Sequence, residues 1–208
     1  MDDIVKKSLV KWPNVPYCYG WLGLDARGNW RMRDERSQQL NLPGDKLQHV
    51  ALRAFIGRNY EADAQGCWFF QNGPQRVYLN LEATPYIVRS DPARQWLLHT
   101  DAAMPPIDAA WLTETGELIL CSGDIVAQLD DRDFADVLPL LRIDGVAASD
   151  DALLAWLEQG QGTLSLQLEG RALAVGRLAH ADVAHHFQFV RLPQPPAGKP
   201  DAAVPAPP

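Results

Sequence analysis

Cys67-Trp68-Phe69-Phe70-Gln71-Asn72-Gly73-Pro74-Gln75-Arg76-Val77-Tyr78 is the stretch on which the fold turns. Aromatic and β-branched side chains fit a pleated, half-buried surface, and here they flank Asn72-Gly73-Pro74, whose residue types reverse a chain tightly. Residues 67–71 and 75–82 therefore read as two paired strands. Pro85 punctuates the run, and 86–89 and 96–99 continue as strands.

On the N-terminal side, Leu47, Val50, Ala51, Ala54 and Phe55 fall on one face of a helix over 45–56. Asp45 would cap it and Gly57 would stop it. Before it, 17–24 and 30–33 form a hairpin around Asp25-Ala26-Arg27-Gly28-Asn29, and residues 1–16 read as a short arm ending at Pro13 and Pro16.

On the C-terminal side, 110–113 and 117–121 flank Glu114-Thr115-Gly116 as a further hairpin, and Ile125, Ala127 and Leu129 alternate like a strand. A helix after Asp130 carries Phe134, Val137, Leu138 and Leu141, and Pro139 should end it near Leu138. Ser149 caps a second helix with Leu153, Leu154, Trp156 and Leu157, which stops at Gly160. Leu164, Leu166 and Leu168 alternate, Glu169-Gly170 turns, and Leu173 and Val175 return. Residues 186–192 read as a last strand. From Pro193 onward seven of sixteen residues are proline, the composition of an extended, disordered tail.

The fold class is thus α+β: antiparallel β-sheets packed by about three helices, with a disordered Pro-rich tail. The chain divides into 1–104, 105–192 and 193–208, with Pro105-Pro106 at the inner boundary.

The chain has 208 residues, is 47% hydrophobic and carries a formal charge of −7. A core of ordinary size is affordable, and the acidic excess argues against non-specific nucleic-acid or anionic-lipid binding. Residues 1–60 hold ten Lys/Arg against six Asp/Glu, while the remainder is acidic; a basic first third suits an acidic partner or the protein's own acidic part. Cys18, Cys67 and Cys121 form no CxxC pair. With no secretion signal and no long apolar run, they point to a reducing compartment, the cytoplasm.

The residue types that carry chemistry do not cluster in known patterns. His180, His185 and His186 lie close in sequence, but in a strand His185 and His186 point to opposite faces, so neither a metal nor a cofactor is expected. Asp130-Asp131 and Asp150-Asp151 sit where carboxylates favour helix starts. No Gly-x-Ser-x-Gly elbow, Walker loop or Gly-x-Gly-x-x-Gly motif occurs, so no catalytic residue is assigned. The polar segment 58–78 is more informative. A hairpin tip needs Asn-Gly for its backbone, but it does not need Arg58, Asn59, Tyr60, Asp63, Gln71, Gln75 and Arg76 around Asn72, and these supply donors and acceptors for recognition. A second candidate is the first hairpin, with Trp21, Trp30, Arg31, Arg33 and Arg36, whose simpler reading puts tryptophan inward and arginine outward.

Lys11-Trp12-Pro13-Asn14-Val15-Pro16, Gly20-Trp21-Leu22-Gly23-Leu24-Asp25, Gly28-Asn29-Trp30-Arg31, Arg58-Asn59-Tyr60 and 70–78 together resemble a proteobacterial family of about this length whose function is uncharacterised. The resemblance spans residues 11–90. It implies a bacterial cytoplasmic protein and transfers no site residue. A looser similarity of layout, with a Thr84-Pro85 step into a strand, links the chain to another uncharacterised bacterial family.

The leading expectation is a non-enzymatic binding or regulatory protein that meets an unknown protein or small-molecule partner through the tip at 71–76. Replacing Gln75 and Arg76 with alanine would then weaken binding and spare stability. The alternatives are an enzyme with a pocket near Arg58, Asp63, Gln71 and Arg76, and a nucleic-acid-associated protein using the basic N-terminal third. The oligomeric state is not legible.

Overall fold

The computed structural model describes residues 1–12, 15–91, 95–168 and 170–196. Pro13 of the expected arm, Glu169 of the expected turn and positions 197–208 of the expected disordered tail lie outside the described residues. The chain gathers into two compact units, Met1–Ala83 with the segment from Gln188 onward, and Thr84–Phe187. Pro105-Pro106 falls within the second.

In the first unit the chain runs α1 (Asp3–Lys11), β1 (Cys18–Leu24), β2 (Trp30–Met32), α2 (Glu35–Gln39), β3 (Asp45–Lys46), α3 (Val50–Arg58), β4 (Tyr60–Ala62), β5 (Trp68–Asn72) and β6 (Gln75–Leu81). The expected arm is thus a helix over most of its length. Asp3 in its first turn and Lys11 in its last complement the helix dipole, and Val5 is buried. The helix expected over 45–56 begins later, because Asp45 and Lys46 pair with Met32 and Arg31 as a strand. His49 caps it instead, its Nδ1 accepting from the Leu52 N–H at 3.2 Å. Gly57 lies inside the helix, and Ile56 is its buried residue. α2 was not foreseen; its signal is Asp34, whose carboxylate accepts from the Ser37 N–H at 2.7 Å.

The strands form one six-stranded sheet in the order β3-β2-β1-β6-β5-β4. The two hairpins read from sequence are both present, and β1 joins them by pairing parallel to β6. This sheet is therefore mixed rather than purely antiparallel. Register and the two-residue period divide its side chains. Leu22, Leu24, Trp30, Phe70, Leu79 and Leu81 share one face, on which Phe55 of α3 meets Phe70 edge-on at 5.5 Å. Trp30 and Tyr60 touch at 5.3 Å between ring centroids, although four strand-to-strand steps separate β2 from β4, about 19 Å in a flat sheet. The sheet therefore curls around this apolar face.

The second unit contains β7 (Tyr86–Asp91), β8 (Gln95–Leu98), β9 (Ala109–Thr113), β10 (Leu118–Ser122), β11 (Ile125–Leu129), α4 (Phe134–Val137), β12 (Leu141–Ile143), β13 (Val146–Ala147), α5 (Asp150–Gln159), β14 (Leu164–Leu168), β15 (Arg171–Leu178) and α6 (Val183–His186). Its nine-stranded sheet runs β13-β12-β14-β15-β9-β10-β11-β7-β8, with parallel pairs at β7/β11 and β9/β15. The expected stop at Pro139 and the α5 caps, Ser149 and a left-handed Gly160, are present. Leu141, expected on a helix face, instead opens a strand. The final strand expected over 186–192 is absent: His186 ends α6, Gln188 takes a positive φ, and only Val190 bridges to Cys67. The core gathers Leu112, Leu118, Leu120, Leu141, Leu164 and Leu166. Six α-helices occur among the described residues, and only α1, α3 and α5 reach nine residues. No helix among them is long and apolar enough to cross a membrane.

Candidate functional site

The outer face of the six-stranded sheet carries both arginine-bearing segments singled out in the sequence. Pairing aligns Gln71 with Arg76 and Phe69 with Tyr78 across β5 and β6. It also aligns Lys46, Arg31, Gly23 and Asn80 in one row across β3, β2, β1 and β6.

At the hairpin tip, most of the expected recognition groups bind the unit itself. The Arg76 guanidinium lies 4.3 Å from the Phe69 ring centroid and 5.5 Å from that of Tyr17. Gln75 donates through Nε2 to the Pro16 carbonyl at 3.0 Å. Gln71 is fully buried; its Nε2 donates to the Gly73 carbonyl at 2.9 Å, while its Oε1 has no partner among the described residues. Asn72 stays exposed. Asp63 accepts from the Gln65 and Cys67 N–H groups through Oδ1 and from the Tyr78 hydroxyl at 2.9 Å through Oδ2. Burial holds the Tyr78 phenol well above its ordinary pKa; the neighbouring Arg76 opposes this and the bond to Asp63 adds to it. Burial, then Asp63, also pushes the Cys67 thiol up.

Arg58, Asn59 and Tyr60 are placed elsewhere. Arg58 pairs with Asp2 at 3.3 Å. Buried Asn59 accepts from the Asp2 N–H at 2.7 Å and donates to the Phe55 carbonyl at 2.9 Å. Tyr60 packs on the apolar side, against Trp30 and Trp68. Among the described residues, no hydrogen bond or ion pair joins Arg58 to Asp63 or Arg76.

Next to this face the first hairpin opens a cleft of about 250 Å³. Its lining includes Gly23, Arg31, Arg33, Asn80, Leu42 and Leu192. Glycine weakens a strand interior and often marks the close approach of something else. A Cβ built on Gly23 meets only ordinary contacts: the Asn80 carbonyl oxygen at 3.4 Å, and Arg31 Cβ and Arg33 Cδ at 3.8 Å. Nothing in the backbone there demands glycine, and these three neighbours stand at ordinary van der Waals distance from a side chain's first carbon.

The charges around the cleft are unequal in their compensation. Asp25, 7% exposed, accepts from the Arg27 and Asn29 N–H groups and the Asn29 amide, and forms an ion pair with Arg31 at 2.7 Å. Burial pushes its carboxyl up, but the bonds from Asn29, Arg31 and Arg27 outweigh burial and hold it below the usual carboxylate range. Arg33, 8% exposed, has no carboxylate partner among the described residues. It donates to the Leu42 carbonyl at 3.0 Å, the Gly20 and Ser37 carbonyls at 3.4 Å, and Asn41 Oδ1 at 3.3 Å. These dipoles solvate its N–H groups without cancelling its charge. Glu82, exposed at the rim, accepts from the Ala26 N–H at 3.2 Å. The Asn80 side-chain amide has no hydrogen-bond partner among the described residues.

Sequence reasoning had placed Arg31 and Arg33 pointing away from the core, and it missed the cleft they line. The available signal was Gly23, the second of two glycines in a strand otherwise of aromatic and apolar residues.

A protein-family model described as a protein of unknown function (DUF2946) matches residues 1–194. The chain belongs to the DUF2946 family. The match spans both units, beyond the first 90 residues on which the resemblance was read, and takes in every residue that lines the cleft. No curated protein matches this DUF2946 member. A solved structure similar to it is a DUF1285 family protein from Silicibacter pomeroyi, 12% identical, covering 77% of this chain and 82% of that chain with a TM-score of 0.47. At that identity and score the likeness bears on neither site nor function.

In the second unit, His180 Nδ1 lies 3.1 Å from Glu117 Oε1, and Glu117 also accepts from Thr113 and Thr115. His186 packs edge-on against Trp111. Among the described residues no group of three His, Cys, Asp or Glu side chains is placed to hold a metal ion.

Proposed function

We propose that this DUF2946 member is a non-enzymatic cytoplasmic binding or regulatory protein whose first unit takes a small molecule in the cleft over Gly23. The cleft lined by Gly23, Arg31 and Arg33, with Arg33 buried and bound to no carboxylate among the described residues, carries this reading. Asp25 in the cleft, and Tyr78 and Cys67 elsewhere in the unit, support binding over catalysis. Asp25 is a saturated acceptor, and Tyr78 and Cys67 are held in their protonated forms, so none is poised as base or nucleophile. The tip at 71–76 then serves to brace the same sheet face. A volume of 250 Å³ lies just under the range of about 300–1,000 Å³ typical of pockets for drug-sized compounds, so the occupant is small.

Native mass spectrometry of gently purified protein, compared with its denatured mass, tests this reading. A small mass excess lost on denaturation, and missing from a Gly23→Leu variant, is the expected result. Unliganded protein that also shows no thermal stabilisation by a metabolite panel would refute it.

A further inference from the structure

We infer that the ligand of this cleft is a small monocarboxylate with an apolar body, an assignment that rests on the binding reading above. The argument starts from Arg33. A buried guanidinium bound only to carbonyl and amide oxygens keeps a full positive charge in a poorly solvated place, a costly arrangement unless a counter-charge completes it. Arg33 lines the cleft and has no carboxylate partner among the described residues, whereas neighbouring Arg31 is already matched to Asp25. Glu82 also lines the cleft but bonds to neither arginine among the described residues, so Arg33 is the guanidinium there to which no carboxylate is bound.

The hydrogen-bonding groups agree. Five N–H groups project from a guanidinium, and the four contacts of Arg33 leave one donor over. The unpartnered Asn80 amide stands across Gly23 from Arg31 in the strand row. Arg33 and Asn80 both line the cleft, so these donors are the ones there for a carboxylate to take up. Glu82, which lines the same cleft, repels each negative charge brought in, so a doubly charged phosphate or dicarboxylate is penalised more than a monoanion. Leu42, Pro43 and Leu192 form an apolar wall suited to a short hydrocarbon body.

The test uses the full-length protein with isovalerate as probe. Isovaleramide serves as its neutral isostere and inorganic phosphate as the competing oxyanion. Binding is followed by ¹⁵N–¹H NMR of the Gly23 amide and the arginine Nε–H signals. Saturable shifts with isovalerate are expected, at least about tenfold tighter than with isovaleramide or phosphate. Gly23→Leu should weaken isovalerate binding tenfold or more while leaving the remaining spectrum in place. Because Arg33 ties down the loop at 41–44, removing it could unfold the unit; Gly23→Leu removes no bond and keeps the test decisive. Equal binding of isovaleramide, or preferential binding of phosphate, with Gly23→Leu blocking either, would overturn the monocarboxylate assignment and leave the cleft reading intact. No saturable binding by any probe, or binding indifferent to Gly23→Leu, would overturn the assignment, and the native-mass experiment then decides the cleft reading separately.

Discussion

Asp25→Asn is the most informative single perturbation of the site, because it changes charge and almost nothing of shape. In the wild type the carboxylate is nearly buried and gathers the Arg27 and Asn29 N–H groups, the Asn29 amide and the Arg31 guanidinium. An asparagine turns an NH₂ toward groups that are all donors and leaves Arg31 uncompensated. Breaking a buried pair by removing one partner costs about 3–5 kcal/mol. The Arg31 side chain remains 28% exposed, so water recovers part of its charge, and the expected loss is about 2 kcal/mol. For a chain of this length that is a fall in Tm of about 4–8 °C if the whole chain melts cooperatively, and more if the first unit melts alone. The loss should depend on pH. The folded-state pKa of Asp25 lies below the ordinary aspartate value of 3.8. Its stabilising contribution is therefore fully present above that value and disappears as pH falls through the folded one. Thermal unfolding by circular dichroism at about pH 7, 5 and 2.5 should show equal gaps between wild type and variant at the two higher values and a much smaller gap at the lowest. A gap that is negligible at neutral pH, or undiminished in acid, would refute the reasoning.

Gly66→Ala should release the C-terminal segment, since φ is +76° and a Cβ there would sit 2.2 Å from the Gln188 carbonyl oxygen. The left-handed backbone and the clash together cost roughly 3 kcal/mol, and limited proteolysis near residue 190 should accelerate. Gly176→Ala puts a methyl 2.9 Å from Trp111 Cδ1 and Nε1, so a shift in tryptophan emission and a loss of about 1–3 kcal/mol are expected; an unchanged spectrum would contradict the packing. Arg76→Ala removes the contacts with Phe69 and Tyr17 and should cost about 1 kcal/mol in chemical denaturation, whereas a loss above about 3 kcal/mol would point to an unseen buried role. Cysteine labelling at pH 8 should be slow until denaturant is added, because Cys18 and Cys121 are buried, burial and then Asp108 push the Cys121 thiol up to about 12, and Cys67 is raised as well; one rapid stoichiometric thiol would contradict this.

What the amino-acid sequence determined by itself is whatever is local. The hairpin at 68–81 was legible because Asn72-Gly73-Pro74 separates two runs of strand formers. α5 was legible because Ser149 and Gly160 mark its ends, and the break at Pro139 because proline removes a helical hydrogen bond. Propensity and periodicity misled where a distant partner competed. Asp45 looked like a helix cap, yet it pairs with Met32, and residues 186–192 looked like a strand but find only one bridge, at Val190. Only the tertiary structure decided that β1 lies parallel to β6, that the sheet curls until Trp30 meets Tyr60, and that Gly23 lines a cleft from its place between Arg31 and Asn80. Arg33 is the clearest case. Alternation carried one residue past β2 correctly put it on the side away from the core, but the loop at 41–44 folds over that side and buries it. Burial of a charge depends on which remote segment covers it, and no local pattern of residues encodes that.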